Sequence, residues 1–569
     1  MSATKQIINA GVHIPACLRG KVRFHCASEI RFALCASLAW ALLYNFSFWE
    51  QAAQAMWQPS WHAALFLTAL FVLVLLLQTI LVLLIPTRAL MRIAVAVLFV
   101  VAAASAHFSA NYGALMNEDM MRNVFETDLA EAGSLVTAEF LMQIFFLGLL
   151  PAWLISRVTL PPMRWWPSLL RRVGYISIAL LLCVADLFAC SADYAVFFRE
   201  HKPIRFALSP GAPAVSTVAL LNDARGRHAG PVRLAGGPVE RMMQQNTARP
   251  LVLFLVVGET ARAANFQLGG YARPTNPELN GQDGLVYFDH VTACGTSTAV
   301  SVPCMFSNLG RAAFKVDEAG GYTNLVDALA AAGFDVEWRD NNAGCKGVCE
   351  RVRQVSYAAH SDAELCPNAY CYDEVMLQGL SARLRKLTRD TVIVFHQIGS
   401  HGPAYHERYP PEFERFQPAC QSNELQRCTA QEVVNAYDNT IAYTDHVLAR
   451  LIATLRASAD RVDGLLLYAS DHGESLGEQG IYLHGLPYRF APDFQTGVPM
   501  LFWASEAYAL RTGLDLNCAR SMAGEPLSHD NLYHTILGAT GTRNDAYDAR
   551  QDFLSTCRIP QVHRYALRH

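Results

Sequence analysis

Five apolar runs crowd into the first third of the chain, at roughly 31–50, 63–86, 90–108, 138–156 and 173–192. Each is near the ~20 residues that a helix needs to cross the hydrocarbon of a bilayer. A segment in lipid must satisfy its own backbone hydrogen bonds, so these runs predict five transmembrane helices. The first run follows a basic stretch with no small-residue cleavage site. That predicts a retained anchor rather than a removed signal peptide. Residues 1–192 are therefore expected to form a membrane domain.

Basic residues set its orientation, because cytoplasmic loops collect Lys and Arg. Lys5, Arg19, Lys21, Arg23 and Arg31 precede or open the first run. Arg88 and Arg92 lie between the second and third, and Arg157, Arg164, Arg171 and Arg172 between the fourth and fifth. The opposite loops carry no basic residue at 51–61 and only Arg122 at 109–137. The N-terminus is thus expected in the cytoplasm and everything beyond about residue 193 outside it. Trp49, Trp57, Trp61, Trp153, Trp165 and Trp166 fall near span ends, where interfacial aromatics belong.

A chain of 569 residues exceeds what one core usually serves. Residues 193–249 mix apolar, basic, Pro and Gly residues and read as an interfacial connector and linker. From 250 to 569 the pattern changes to short apolar runs alternating with helical stretches. LVLFLVV (251–257), FDVEW (334–338), TVIVFH (391–396), GLLLYAS (464–470) and VPMLFW (498–503) read as buried strands. Such alternation predicts an α/β domain built on a largely parallel sheet. The net charge of −3 gives no reason to expect a nucleic-acid partner.

Ten of the 15 cysteines lie beyond residue 290. They fall in close couples: Cys294 and Cys304, Cys345 and Cys349, Cys366 and Cys371, Cys420 and Cys428, with Cys518 and Cys557 farther apart. Sequence alone leaves the connectivity open. Near-neighbour pairing is the simplest expectation, and an oxidising compartment suits it.

Polar residues collect just beyond the expected strands. Glu259 follows the first, His396 ends the third with His401 close behind, and Asp471 and His472 follow the fourth. Ligands bind at the carboxyl ends of strands in open α/β sheets. Two carboxylates and one imidazole suit zinc, with a hydroxyl in the fourth position. That hydroxyl is expected from CGTSTAVSVPC (294–304), which holds Thr296, Ser297, Thr298 and Ser301 between two cysteines. His401 and His484 are expected nearby. Taken together, these residues point to a metal-dependent hydrolase or transferase.

The loop between the third and fourth spans carries Asn123, Thr127 and Glu131 at i, i+4 and i+8. On one helix they would share a face able to hold a phospholipid head group. The plainer reading is a solvated helix face.

Longer motifs go further. VVGET (256–260), YARPTNP (271–277), CGTSTAVSVPCMFS (294–307), WRDNN (338–342), GSHGPAYHERYP (399–410) and SDHGESLGEQGIYLHGLPY (470–488) resemble the phosphoethanolamine–lipid A transferases, which include the mobile colistin-resistance enzymes. The resemblance extends over nearly the whole chain. It implies a five-span helical membrane domain and a periplasmic α/β domain of the alkaline-phosphatase, or sulfatase-like, fold. It implies zinc on Glu259, Thr298, Asp471 and His472, with Thr298 as nucleophile. Asn342 and Lys346 match positions that contact phosphoethanolamine. His401 and His484 match positions that assist transfer and are open to a second zinc or a phosphate. Asn123, Thr127 and Glu131 match lipid-substrate positions, which reverses the plainer reading of that stripe. The family is disulfide-bonded.

The activity so implied is transfer of phosphoethanolamine from phosphatidylethanolamine to a lipid A phosphate, by a monomer in the bacterial inner membrane, with polymyxin resistance as the consequence. The rivals are transfer to core sugars, periplasmic glucan or protein, and phosphoglycerol transfer. A sulfatase would need Cys or Ser in C/S-x-P-x-R, and MFSNL after Cys304 does not supply it. A non-catalytic sensor would lack a ligand, and all four positions carry metal-competent residues.

Overall fold

The computed structural model describes residues 24–56, 60–161, 165–226, 232–243, 249–357, 362, 364–367 and 370–558. Lys5, Cys17, Arg19, Lys21, Arg23, Trp57 and Arg164 lie outside the described residues. The chain divides into two compact units, one of residues 1–107 with 139–212, the other of residues 108–138 with 213–569.

The first unit is helical. Trp61–Leu83, Arg88–Tyr112, Ala138–Ser156 and Trp165–Ala189 are long and apolar enough to cross a membrane. The first expected span is not one straight helix. Glu29–Leu43 and Phe46–Ala55 meet at a bend of 63°. Asn45 explains the break, because its side chain is committed elsewhere. Its amide donates to the carbonyls of Trp40 (2.8 Å) and Ser209 (2.7 Å), and its oxygen accepts from the Ser209 N–H (2.7 Å). The second segment also carries Glu50, Gln51 and Gln54, which suits an interface better than hydrocarbon. In Ala138–Ser156 a π-helical turn at Ile144–Leu149 precedes Pro151, which has no N–H to continue the α-helical ladder. At the other end of the first helix, buried Glu29 pairs with Arg88 and Arg172 and accepts from Ser168. That ties three helices together through one satisfied charge cluster.

The second unit carries a seven-stranded sheet. In chain order its strands are β1 (Leu251–Gly258), β2 (Leu285–Phe288), β3 (Asp335–Asp340), β4 (Arg353–Ser356), β5 (Thr391–His396), β6 (Asp463–Ser470) and β7 (Met500–Ala504). They lie in the order β2-β7-β6-β1-β5-β3-β4. Strands β6, β1, β5, β3 and β4 run parallel, β7 is antiparallel to β6, and β2 is antiparallel to β7. The expected strands are all present. Edge strands β2 and β4 were not expected.

Both faces of β1 are buried. Leu251, Leu253, Leu255 and Val257 point into one apolar core, and Val252, Phe254 and Val256 into the other. This double burial is why the sequence reads as a continuous apolar run rather than an alternating one. Helix Ala430–Arg456 covers one face and starts with a capping box between Thr429 and Glu432. The disulfides are Cys294–Cys304, Cys345–Cys349, Cys366–Cys371, Cys420–Cys428 and Cys518–Cys557.

Candidate active site

The two central strands of the parallel sheet end side by side. Gly258 of β1 pairs with Ser470 of β6, so Glu259 and Asp471 leave the sheet as neighbours. His472 follows at once. Their ligand atoms lie within 4.8 Å of one another, and all three side chains are fully buried. His472 Nε2 is 3.5 Å from a Glu259 oxygen and 3.3 Å from Asp471 Oδ2. His472 Nδ1 faces the Gly473 carbonyl at 3.0 Å, which leaves Nε2 for the group. Asp471 Oδ1 accepts from the backbone N–H of Thr260 (3.2 Å) and His472 (2.7 Å). Among the described residues, buried Asp471 Oδ2 has no hydrogen-bond partner.

Thr298 completes the cluster. Its hydroxyl is 3.2 and 3.1 Å from the two Glu259 oxygens and 3.4 Å from His472 Nε2. Thr298 opens the helix Thr298–Met305, so unpaired N–H groups of the first turn favour negative charge there. The Cys294–Cys304 bridge closes the loop around that helix. Ser301 ties it to the sheet by donating to the Asp471 carbonyl at 2.5 Å. Gly399 has φ of +50° and approaches so closely that a Cβ would stand 2.7 Å from the Glu259 carbonyl oxygen.

Electrostatics fit a cation here. Burial, with the Asp471 charge added, pushes Glu259 up to about 8. Burial raises Asp471 to about 7 and lowers His472 to about 4. Two carboxylates raised and an imidazole lowered are what burial does to charged groups lacking a countercharge. Donor set, spacing and the orphaned Asp471 oxygen all fit zinc. At the level of geometry, this is a three-ligand group with a hydroxyl in its fourth direction, at the carboxyl edge of an α/β sheet.

Comparison with known proteins agrees. A sulfatase family model matches residues 252–542, and a model described as phosphoethanolamine transferase EptA/EptB matches residues 70–224. Phosphoethanolamine transferase EptA of Escherichia coli K12 is 40% identical over 536 residues, covering 92% of this chain and 97% of that protein. The chain belongs to the phosphoethanolamine transferase family. Phosphatidylethanolamine transferase Mcr-1 of Escherichia coli is 38% identical over 467 residues, 80% of this chain and 85% of that one. The integral membrane lipooligosaccharide phosphoethanolamine transferase A of Neisseria meningitidis superposes with a TM-score of 0.90 at 33% identity, covering 94% of this chain and all of that one. This family member is therefore an integral membrane protein with an apolar helical N-terminal region and a soluble periplasmic catalytic domain of sulfatase-like fold.

Against this family frame the remaining candidates divide. Asn342 touches the group directly, donating to Glu259 (2.8 Å) and to the Gln397 carbonyl (2.8 Å). Lys346 does not. It has φ of +50° and donates to the Ala343 carbonyl at 3.1 Å, while its charge reaches Glu131. His484 packs its ring 4.4 Å from that of His472, and His401 lies 5.6 Å from His484. Burial lowers His484 to about 4 and holds His401 well below its usual value.

The outer-loop stripe is not one helix. Helix Glu118–Glu126 ends with Thr127 as its extended C-cap, and Leu129–Leu135 begins a new helix. The Thr127 hydroxyl turns back to the Asn123 carbonyl at 2.7 Å. Glu131 nevertheless reaches the site region, 3.5 Å from His401 Nε2. Burial pushes its carboxyl up to about 7. Asn123 lies beside Gly485, the residue after His484, with its amide nitrogen 3.4 Å from where a Cβ on Gly485 would stand.

Sequence reading missed three supports. His529 accepts the Cys294 N–H at 3.1 Å and lies 3.5 Å from Ser301, bracing the turn that carries Thr298. Arg408 is buried and donates to the His401 carbonyl at 2.8 Å. Glu474 pairs with His484 at 2.8 Å. Arg408 and Glu474 lie inside motifs already singled out, whereas nothing in the sequence around His529 signals its partner.

Proposed function

We propose that the protein transfers phosphoethanolamine from phosphatidylethanolamine to a phosphate of lipid A, through a phosphoethanolamine–Thr298 intermediate, in the bacterial inner membrane. The observation that carries this reading is the Thr298 hydroxyl, 3.1–3.4 Å from Glu259 and His472 within the buried three-ligand group. Glu259, Asp471, His472 and Thr298 would hold one zinc. Bound zinc would supply the positive charge that lowers a hydroxyl pKa and polarises a phosphoryl oxygen.

The chain's own groups account for the rest. Thr298 Oγ attacks phosphorus in line, the bond from phosphorus to the diacylglycerol oxygen breaks, and diacylglycerol leaves with a proton. The proton given up by the Thr298 hydroxyl would reach the diacylglycerol oxygen, with His401 or His484, neutral at rest, as the relay. A lipid A phosphate oxygen then attacks the same phosphorus, and the Thr298 oxygen leaves. Asn342 holds Glu259 in place through both half-reactions. Lys346 offers charge to the transferring group, and Asn123, Thr127 and Glu131 receive the lipid head group. Splitting the transfer in two lets one site serve two lipids that need not be bound together. A relative named as a lipooligosaccharide phosphoethanolamine transferase and one named as a Kdo(2)-lipid A phosphoethanolamine 7''-transferase support an acceptor of the lipid A-bearing class. The ammonium added to lipid A offsets negative surface charge, so cationic polymyxins are drawn less strongly.

The test is reconstitution with phosphatidylethanolamine and lipid A, followed by lipid mass analysis. Phosphoethanolamine on lipid A, lost in Thr298→Ala, supports the reading. Phosphoethanolamine on core sugar, glucan or protein, with lipid A unmodified, replaces the acceptor.

A further inference from the structure

Three motif segments meet behind His484, and the reaction as written uses none of the residues that join them. Ser475–Leu476 pairs antiparallel with Tyr482–Leu483, with Ser475 opposite Leu483. Glu474 and His484 flank that pair and are therefore neighbours across the ladder. His484 Nδ1 is 2.8 Å from Glu474 Oε2. The other carboxylate oxygen, Oε1, accepts from the Tyr405 hydroxyl at 2.6 Å. Glu474 is fully buried and Tyr405 nearly so. Both oxygens are thus engaged, and the carboxylate has no freedom to rotate away from the imidazole.

The surroundings are shaped to this pair. A Cβ on Gly402 would stand 2.8 Å from Glu474 Oε1, 2.8 Å from the Tyr405 hydroxyl and 2.7 Å from Leu483. Only glycine leaves room for that hydrogen bond, and Gly402 directly follows His401. Leu483 has φ of +63°, a conformation that costs a leucine energy and persists only where neighbours enforce it. That turn directs the chain into His484. Gln495 holds it by donating to the Leu483 carbonyl and to the Ser475 hydroxyl, both at 3.0 Å.

We infer that Glu474, braced by Tyr405, is the positioning residue for His484. It holds Nδ1 so that Nε2, on the far side of the ring, is the nitrogen presented for proton transfer. The logic is that of an imidazole oriented by a buried carboxylate. The inference deepens the proposed reaction and rests on it. It accounts for Gly402 and Tyr405 of one motif and Glu474 of another, none of which had an assigned role.

The test uses the full-length protein. Glu474→Gln keeps a polar partner for Nδ1, whereas Glu474→Leu removes it. Glu474→Leu is expected to lower kcat by about 10- to 100-fold with KM and zinc content unchanged, because misorienting the imidazole forfeits part of general acid–base help that is worth about 10²- to 10⁴-fold. Glu474→Gln should recover part of the loss, and Tyr405→Phe and Gly402→Ala should lower kcat less. In a His484→Ala background, Glu474→Leu should cost nothing further, since a residue that acts through another has no effect once that other is gone. An undiminished cost in that background, or loss of zinc, would overturn the inference. If the wild-type protein transfers no phosphoethanolamine, the functional reading fails, and a structure of Glu474→Leu still decides the positioning role. A His484 ring turned to a new rotamer supports it, and an unmoved ring refutes it.

Discussion

Two parts of the catalytic unit hold polar residues proposed to act on the same lipid, and they are built differently. Glu259, Asp471 and His472 leave the ends of β1 and β6, with β1 buried on both faces. Asn123 and Glu131 sit on two short helices of nine and seven residues, with Thr127 in the break between them. The first group inherits its geometry from the sheet, and its members stay together because the strands do. The second inherits its geometry from caps and turns, where local opening costs little. Chemistry that needs fixed distances is placed on the sheet. In the proposed reaction, recognition of a mobile head group falls to the loop.

That contrast breaks first at the metal group. Asp471→Asn is expected to abolish zinc retention and transfer together while the fold persists, which elemental analysis alongside circular dichroism would check. Transfer that survives without zinc would erase the distinction between the two regions. Glu131→Gln is expected to keep zinc and raise KM for the donor by about 5- to 30-fold, roughly 1–2 kcal/mol of binding, with kcat less affected. A fall in kcat with KM unchanged would instead put Glu131 among the groups that make the transition state.

A smaller effect lies in pH. Glu259, raised to about 8, and Asp471, raised to about 7, stay protonated in the metal-free native state where the unfolded chain has already ionised them. The unfolded state then binds fewer protons, so stability is lost as pH rises through the folded values. Between about pH 6.5 and 8.5 the Tm of the metal-free protein should therefore fall. His472, lowered to about 4, is neutral in the folded state while the unfolded imidazole still sheds protons near pH 6.5, so it opposes the fall at the lower end of that window and adds nothing above about pH 7.5. Zinc replaces the protons, so the Tm gained on adding zinc should grow with pH over the same range. A metal-free Tm that rises with pH there would show that the carboxylates are not buried as described.

The same contrast governs what the sequence reveals. Strand ends were legible because a buried parallel strand is an unbroken apolar run, and the residue after it is a ligand position by topology alone. Glu259 after LVLFLVVG and Asp471 after GLLLYAS could be read in this way. Edge strands LVYF and RQVS were not, being four residues long and partly exposed. The bend after Leu43 was hidden because Asn45 is satisfied by Ser209, 164 residues away. The break at Thr127 was hidden because periodicity cannot show that a helix stops and restarts. Glu474 was visible as a letter in a motif, but its meaning depends on Tyr405, 69 positions earlier. Local pattern carries elements and their ends, and partners distant in sequence carry the rest.

The account turns on Thr298. The most direct measurement is peptide mass analysis of the zinc-loaded protein after incubation with phosphatidylethanolamine in the absence of acceptor. The account predicts a phosphoethanolamine adduct on the peptide containing Thr298, formed with release of diacylglycerol and discharged when lipid A is added. Diacylglycerol released with that peptide unmodified, or an adduct on another residue, would contradict it.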